Sequence, residues 1–129
     1  MIGNANQSVD VQNFVNRYDD HNRVVYRILE FLNNAKFTEK QKEYVYSVFE
    51  KIIYTHYALS SIYDTNLSRG KERSVRFDEH LKSSNAYLYK MISKKYSNIK
   101  RLRRKNFDRM NSQKSKIHSM IKILKGMIR

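Results

Sequence analysis

With no proline and only three glycines in 129 residues, this chain has few of the residues that make tight turns. A strand-rich fold, which needs many reversals, is therefore closed to it. Long helices joined by few connections are what remain. The length fits one compact domain, or a small domain with an extended arm. An apolar share of 40%, with ten Tyr and six Phe, is enough for one modest core. The expected fold class is all-α: an antiparallel helical bundle of three to four long helices, ending in a long basic C-terminal helix or helix pair. As a single domain over residues 1–129 it divides into a helical hairpin (1–64), an exposed basic loop (65–75) and a basic helical region (76–129).

The hydrophobic period places these parts. Val11, Val15, Tyr18, Val25, Leu29 and Leu32 lay one apolar stripe along a helix from about Val9 to Leu32, with Ser8 as its cap. Asp19, Asp20, His21 and Asn22 interrupt the stripe and predict a bend there. Asn33-Asn34 then ends the helix, since Asn tolerates the left-handed conformation. Thr38-Glu39-Lys40-Gln41 is a capping-box pattern with Phe37 placed to staple against Lys42 or its neighbours. It opens a second helix to about Tyr63 along Val45, Val48, Phe49, Ile52, Ile53, His56, Leu59 and Ile62.

Asp64 to Ser74 holds one apolar residue and Gly70, and reads as an exposed, mobile loop. A third helix is predicted from Val75 or Phe77, on Phe77, Leu81, Leu88, Met91, Ile92 and Tyr96. Unbroken to Met127 it would be about 75 Å long at ~1.5 Å per residue. A break near Asn111-Ser112, with Ser112 capping a fourth helix, is more compact.

The same composition closes off several functions. Without cysteine there is no disulfide, thiolate nucleophile or Cys-based zinc site. His21, His56, His80 and His118 are far apart and form no HExxH or ExxH pattern, so no metal and no cofactor is expected. Nucleophile elbows and phosphate-binding glycine loops are missing too. No apolar run reaches 18 residues, and Met1 to Asp10 lacks an apolar signal region and a myristoylation start. The expected location is the cytoplasm or the inside of a virion. Plentiful Lys, Asn, Ile and Tyr beside scarce Ala and Gly fit AT-rich coding sequence, as in a low-GC bacterium, a phage or another virus.

The charge is uneven. The chain carries a net +14. Between Lys90 and Arg129 stand fourteen Lys or Arg and one acid, Asp108, which leaves a net +1 for the first 89 residues. Such asymmetry points to nucleic acid or a membrane surface. Lys94, Lys95, Lys100, Arg101, Arg103, Arg104, Lys105 and Arg109 are the expected phosphate contacts, with Arg suited to phosphate by its planar fork. Ordinary solvated faces mix signs; this one hardly does. Arg73 and Arg76, in the segment Arg69 to Arg76, make a second, smaller basic site. Tyr87, Tyr89 and Tyr96 precede the cluster and are candidates for stacking on unpaired bases. The plainer use of these rings is to edge the core. Ile117, Met120, Ile121, Leu124 and Ile128, beside Lys114, Lys122 and Lys125, could lie on an anionic membrane. They are read instead as completing the core, which would be small without them, so a membrane partner is not expected.

Arg73 and His80, with six residues between them, resemble the Arg-to-His spacing of HEPN-type helical ribonucleases, although Ser74 follows the arginine where that family favours Asn, Asp or His. The resemblance implies RNA cleavage. The reading of the whole chain is different: a non-catalytic accessory or architectural protein that contacts the nucleic-acid backbone, DNA or RNA, with little sequence specificity. The alternative is a structural or assembly protein, a virion component or subunit of a homo-oligomer, whose basic face binds an acidic protein partner.

Overall fold

The computed structural model describes residues 11–109, and every regular element among them is helical. Residues 11–16 are helical; then come α1 (Tyr18–Asn34), α2 (Glu39–Ser61), α3 (Leu67–Ser84), α4 (Ala86–Lys95) and α5 (Ser97–Arg104). No helix among the described residues is long and apolar enough to cross a membrane.

α1 buries Tyr18, Val25, Leu29 and Leu32, the stripe that the period lays out. The bend falls at Arg17, where φ is −97° and ψ 23°, and not at Asp19 to Asn22. Asp19 and Asp20 stand in the first turn of α1, where carboxylates favour the positive end of the helix dipole. The helix ends on an extended Ala35, φ −78° and ψ 143°, with no left-handed asparagine at this end. Ser8, its expected cap, lies outside the described residues.

α2 opens with the predicted capping box. The Gln41 amide donates to Thr38 Oγ1 at 3.2 Å, and the Thr38 amide donates to Gln41 Oε1 at 3.0 Å. Phe37 meets the Phe31 ring edge-on at 6.0 Å, so its packing partner belongs to α1. α2 is the central element, in contact with α1, α3 and α4. Its buried line runs through Tyr46, Glu50, Ile53 and Tyr57, and residues 56–61 are buried on all sides. The helix is therefore rotated from the expected stripe: Val48 and Ile62 are exposed and Glu50 is buried.

His56 shows what this burial does. It is fully buried, stacked on Tyr18 at 4.5 Å and met edge-on by Phe77 at 4.5 Å. Its Nε2 lies 2.8 Å from Asn22 Oδ1 and its Nδ1 2.8 Å from His21 Nδ1. The asparagine oxygen only accepts, so neutral His56 donates from Nε2 and accepts from His21 at Nδ1. Burial, then His21 and Arg73, hold its pKa at about 3, against ~6.5 in an unfolded chain. Below about pH 6.5 the unfolded chain takes up a proton that the folded protein refuses. Stability is thus complete above that pH and declines as the pH falls. Urea unfolding at pH 5 is expected to give a free energy about 2 kcal/mol below that at pH 7, and a His56→Gln variant should flatten the difference. Equal stabilities of the unaltered protein at the two pH values would contradict this account.

The segment read as an exposed loop is mostly helix. α3 starts at Leu67, capped by Asn66, whose side chain accepts from the Arg69 amide at 3.0 Å. Asp64, Gly70 and Ser74 are buried. The polar residues there face inward, onto a network: the Ser60 and Ser74 hydroxyls lie 2.8 Å apart, and the Asp64 carboxylate is fully buried. Burial pushes that carboxyl up, but Arg69, the Asn66 amide and Arg73 outweigh it and hold it below the ordinary value.

The long third helix is also absent. Asn85 ends α3 and caps α4, accepting from the Leu88 amide at 3.0 Å, and Tyr96 separates α4 from α5. α5 closes on a Schellman pattern: the Phe107 amide donates to the Leu102 carbonyl at 2.7 Å and the Asn106 amide to Arg103 at 3.1 Å. Asn106 and Phe107 have φ of 51° and 57°. Asn tolerates this region, whereas Phe is strained there; its ring is buried against Tyr57 at 6.0 Å, which offsets the cost. The predicted break at Asn111-Ser112, the fourth helix and the apolar run from Ile117 to Ile128 lie outside the described residues.

Candidate nucleic-acid interface

The structure sorts the expected phosphate contacts into two groups. In the first, the protein's own acceptors take the cation. Arg103 Nε donates to Asp78 Oδ1 at 2.7 Å, Nη1 to the Tyr89 carbonyl at 2.8 Å and Nη2 to the Tyr57 hydroxyl at 3.1 Å. Lys95 pairs with Glu50, which is 1% exposed. Arg109 donates to the carbonyls of Ile62 at 2.9 Å and Asp64 at 2.6 Å. Arg73 reaches Asp64 Oδ2 and the Val15 carbonyl, each at 3.4 Å, with its guanidinium 4.6 Å from the Tyr18 ring centroid. Arg76 pairs with Glu72 one turn back at 2.6 Å, an exposed pair of little energetic weight. In the second basic site Arg69 and Arg73 are thus drawn onto the buried Asp64 carboxylate, while Arg76 stays at the surface. Asp108, the single acid of the last third, lies 3.9 Å from Lys71.

The second group is free. Lys94, Lys100, Arg101, Arg104 and Lys105, together with Lys90, are exposed and form no ion pair among the described residues. The α5 sequence explains the division. At about 100° per residue, Lys100, Arg101 and Arg104 share one side of the helix. Ile99 is buried on the other, with Leu102 and Arg103 half-buried. One side of an eight-residue helix therefore presents three cations and Ser97, with no acid among them. On α4, Lys90 and Lys94 are one turn apart and line a groove of about 360 Å³ with Tyr87, Met91 and Lys95.

The three tyrosines separate as well. The Arg103 guanidinium covers the Tyr89 ring at 3.7 Å, and Tyr54 stacks on Tyr96 at 4.0 Å. Tyr87 is 51% exposed and meets Tyr46 only at a steep angle, 62° between planes at 5.4 Å. Arg73 and His80, the pair of the ribonuclease resemblance, lie two turns apart on α3. His80 stacks on Tyr26 at 3.7 Å, and burial lowers its pKa. Each is engaged by different partners, and they share no hydrogen bond, ion pair or ring contact among the described residues. No group of three or more His, Asp or Glu suited to a metal ion occurs among those residues.

Sequence reasoning missed Asp64, Asp78 and Glu50 as the acids that claim basic residues, because their partners stand 5 to 45 residues away, outside the spacing of one helical turn. Comparison with protein-family models, curated proteins and solved structures gives no match for this chain.

Proposed function

We propose that the protein is a non-catalytic accessory or architectural protein that binds the nucleic-acid backbone through the outer sides of α4 and α5. The helices are taken to pack as an antiparallel bundle with this basic surface toward its C-terminal end. The observation that carries the reading is the contrast along α5. Arg103, facing inward, is matched by Asp78, while Lys100, Arg101, Arg104 and Lys105, facing outward, have no such acid. Lys100 with Arg104, and Arg101 with Lys105, are like-charge neighbours one turn apart, which costs a few tenths of a kcal/mol per pair. Phosphates remove that repulsion and release their own counterions. Contacts of this kind position a protein without reading sequence, so DNA and RNA of unrelated sequence should bind alike.

The test is a salt titration of binding to a labelled oligonucleotide. With six exposed cations available, the slope of log K against log salt is expected at about −3 to −5. The triple variant Lys100→Ala, Arg101→Ala, Arg104→Ala should make it shallower by about two to three. A slope near zero, or one unmoved by the triple variant, would sink the proposal.

A second reading, an assembly subunit or virion component whose basic side meets an acidic protein, draws on the apolar side chains left in water. Tyr44 is 72% exposed, and Val48, one turn later, is 45% exposed. Light scattering that shows a defined high-order oligomer without nucleic acid favours it.

A further inference from the structure

Tyr87 stands where two depressions meet. On one side is the α4 groove with Lys90, Met91 and Lys94; on the other is a polar pocket of about 480 Å³ that contains Asn33, Asn85, two lysines, Lys36 and Lys42, and one acid, Glu39. Lys42 Nζ lies 4.9 Å from the Tyr87 ring centroid. The ring is braced rather than loose. Tyr46 packs against it, and Asn85 Nδ2 holds Tyr46 by donating to its hydroxyl at 3.1 Å. Asn85 is fixed in turn by Asn33 Oδ1, which accepts from the same Nδ2 at 3.1 Å. A half-exposed aromatic face, held in place with ammonium groups on both sides, has the parts of a single-strand platform: a ring for a base and cations for the flanking phosphates.

We infer that Tyr87 stacks on an unpaired base, with the adjoining phosphates taken by Lys42 on one side and by Lys90 and Lys94 on the other. This rests on the backbone-binding reading and narrows it to single-stranded nucleic acid at this point of the surface. In a duplex the base faces are covered by their neighbours, so this ring has nothing to stack on. Tyr89 and Tyr96 are excluded from the role because both are half-buried and Arg103 and Tyr54 cover their rings at 3.7 and 4.0 Å, whereas Tyr87 is exposed and the cation over its ring, Lys42, stands off at 4.9 Å.

The experiment measures fluorescence anisotropy with three probes of one length: single-stranded oligo-dT, the same strand with abasic sites in place of its bases, and a duplex. Tyr87→Ala is expected to weaken oligo-dT binding roughly 5- to 150-fold while leaving the abasic strand and the duplex unchanged. Tyr87→Phe, which keeps the ring, should bind as the unaltered protein does. Oligo-dT binding untouched by Tyr87→Ala, with abasic binding intact, overturns the stacking role and leaves the backbone reading standing. Equal weakening on the oligo-dT and abasic strands also overturns it, since the loss is then not one of base contact. Failure of the unaltered protein to bind any probe overturns both.

Discussion

Gly70→Ala is expected to destabilise the protein by about 2 kcal/mol, although helix propensity alone predicts a gain. Gly70 lies within α3 and has no left-handed backbone angle. In an exposed helix the exchange stabilises by about 1 kcal/mol. Here a Cβ would overlap the Ser60 carbonyl oxygen, approach Arg109 Nη2 to 2.9 Å and touch the Asp64 Cβ at 3.3 Å. The first of these is backbone at the end of α2 and cannot swing aside. The α2–α3 crossing would have to open, loosening the Asp64 network that it encloses. Overpacking of this kind costs about 1–3 kcal/mol and sometimes more, so the clash outweighs the propensity. Urea unfolding measures it, and a variant as stable as the parent would show that the two helices are less closely apposed than described.

Arg103→Ala should cost about 3 kcal/mol, while Arg104→Ala, one residue on, should stay within about 0.5 kcal/mol of the parent. The side chain of Arg103 is 10% exposed and that of Asp78 17%. Removing the guanidinium strands the Asp78 carboxylate, the Tyr89 carbonyl and one side of the Tyr57 hydroxyl, and uncovers the Tyr89 ring. The Tyr57 hydroxyl stays a donor to Asp78 at 2.7 Å, because burial and then the Asp78 charge push its pKa above the ordinary value. Arg103→Lys should recover only part of the loss, since one ammonium cannot span three acceptors as the planar fork does. Comparable effects at the two neighbouring positions would mean that the inward and outward cations of α5 are not distinct.

What the sequence discloses is what neighbours decide. The stripe of α1 and the Thr38–Gln41 box depend on residues within a turn or two of one another, so period and capping rules find them. The α3–α4–α5 region defeats the same rules. Phe77, Leu81, Leu88, Ile92 and Ile99 are spaced by fours and sevens, so the apolar period runs straight through the breaks at Asn85 and Tyr96. The local signal was the Ser83-Ser84-Asn85 run, polar residues suited to ending one helix and capping the next. Asp64 to Ser74 misleads for the opposite reason. Its polar side chains look solvated, yet Asp64 and Ser74 are satisfied inside, by Arg69 and Ser60. In the candidate site, the number of cations is legible by counting. Which of them remain available is not, because that depends on acids brought close only by folding.

Glu50 gives the cationic surface an internal limit. Its side chain is 1% exposed and lies beneath Lys95, whose side chain is 54% exposed. A phosphate that drew Lys95 away would leave the buried Glu50 side chain without its counter-charge, a heavier loss than one more surface contact returns. Lys95 is therefore tethered even though a passing ligand can touch it. The interior, through its few anions, rations how much positive charge the exterior can lend.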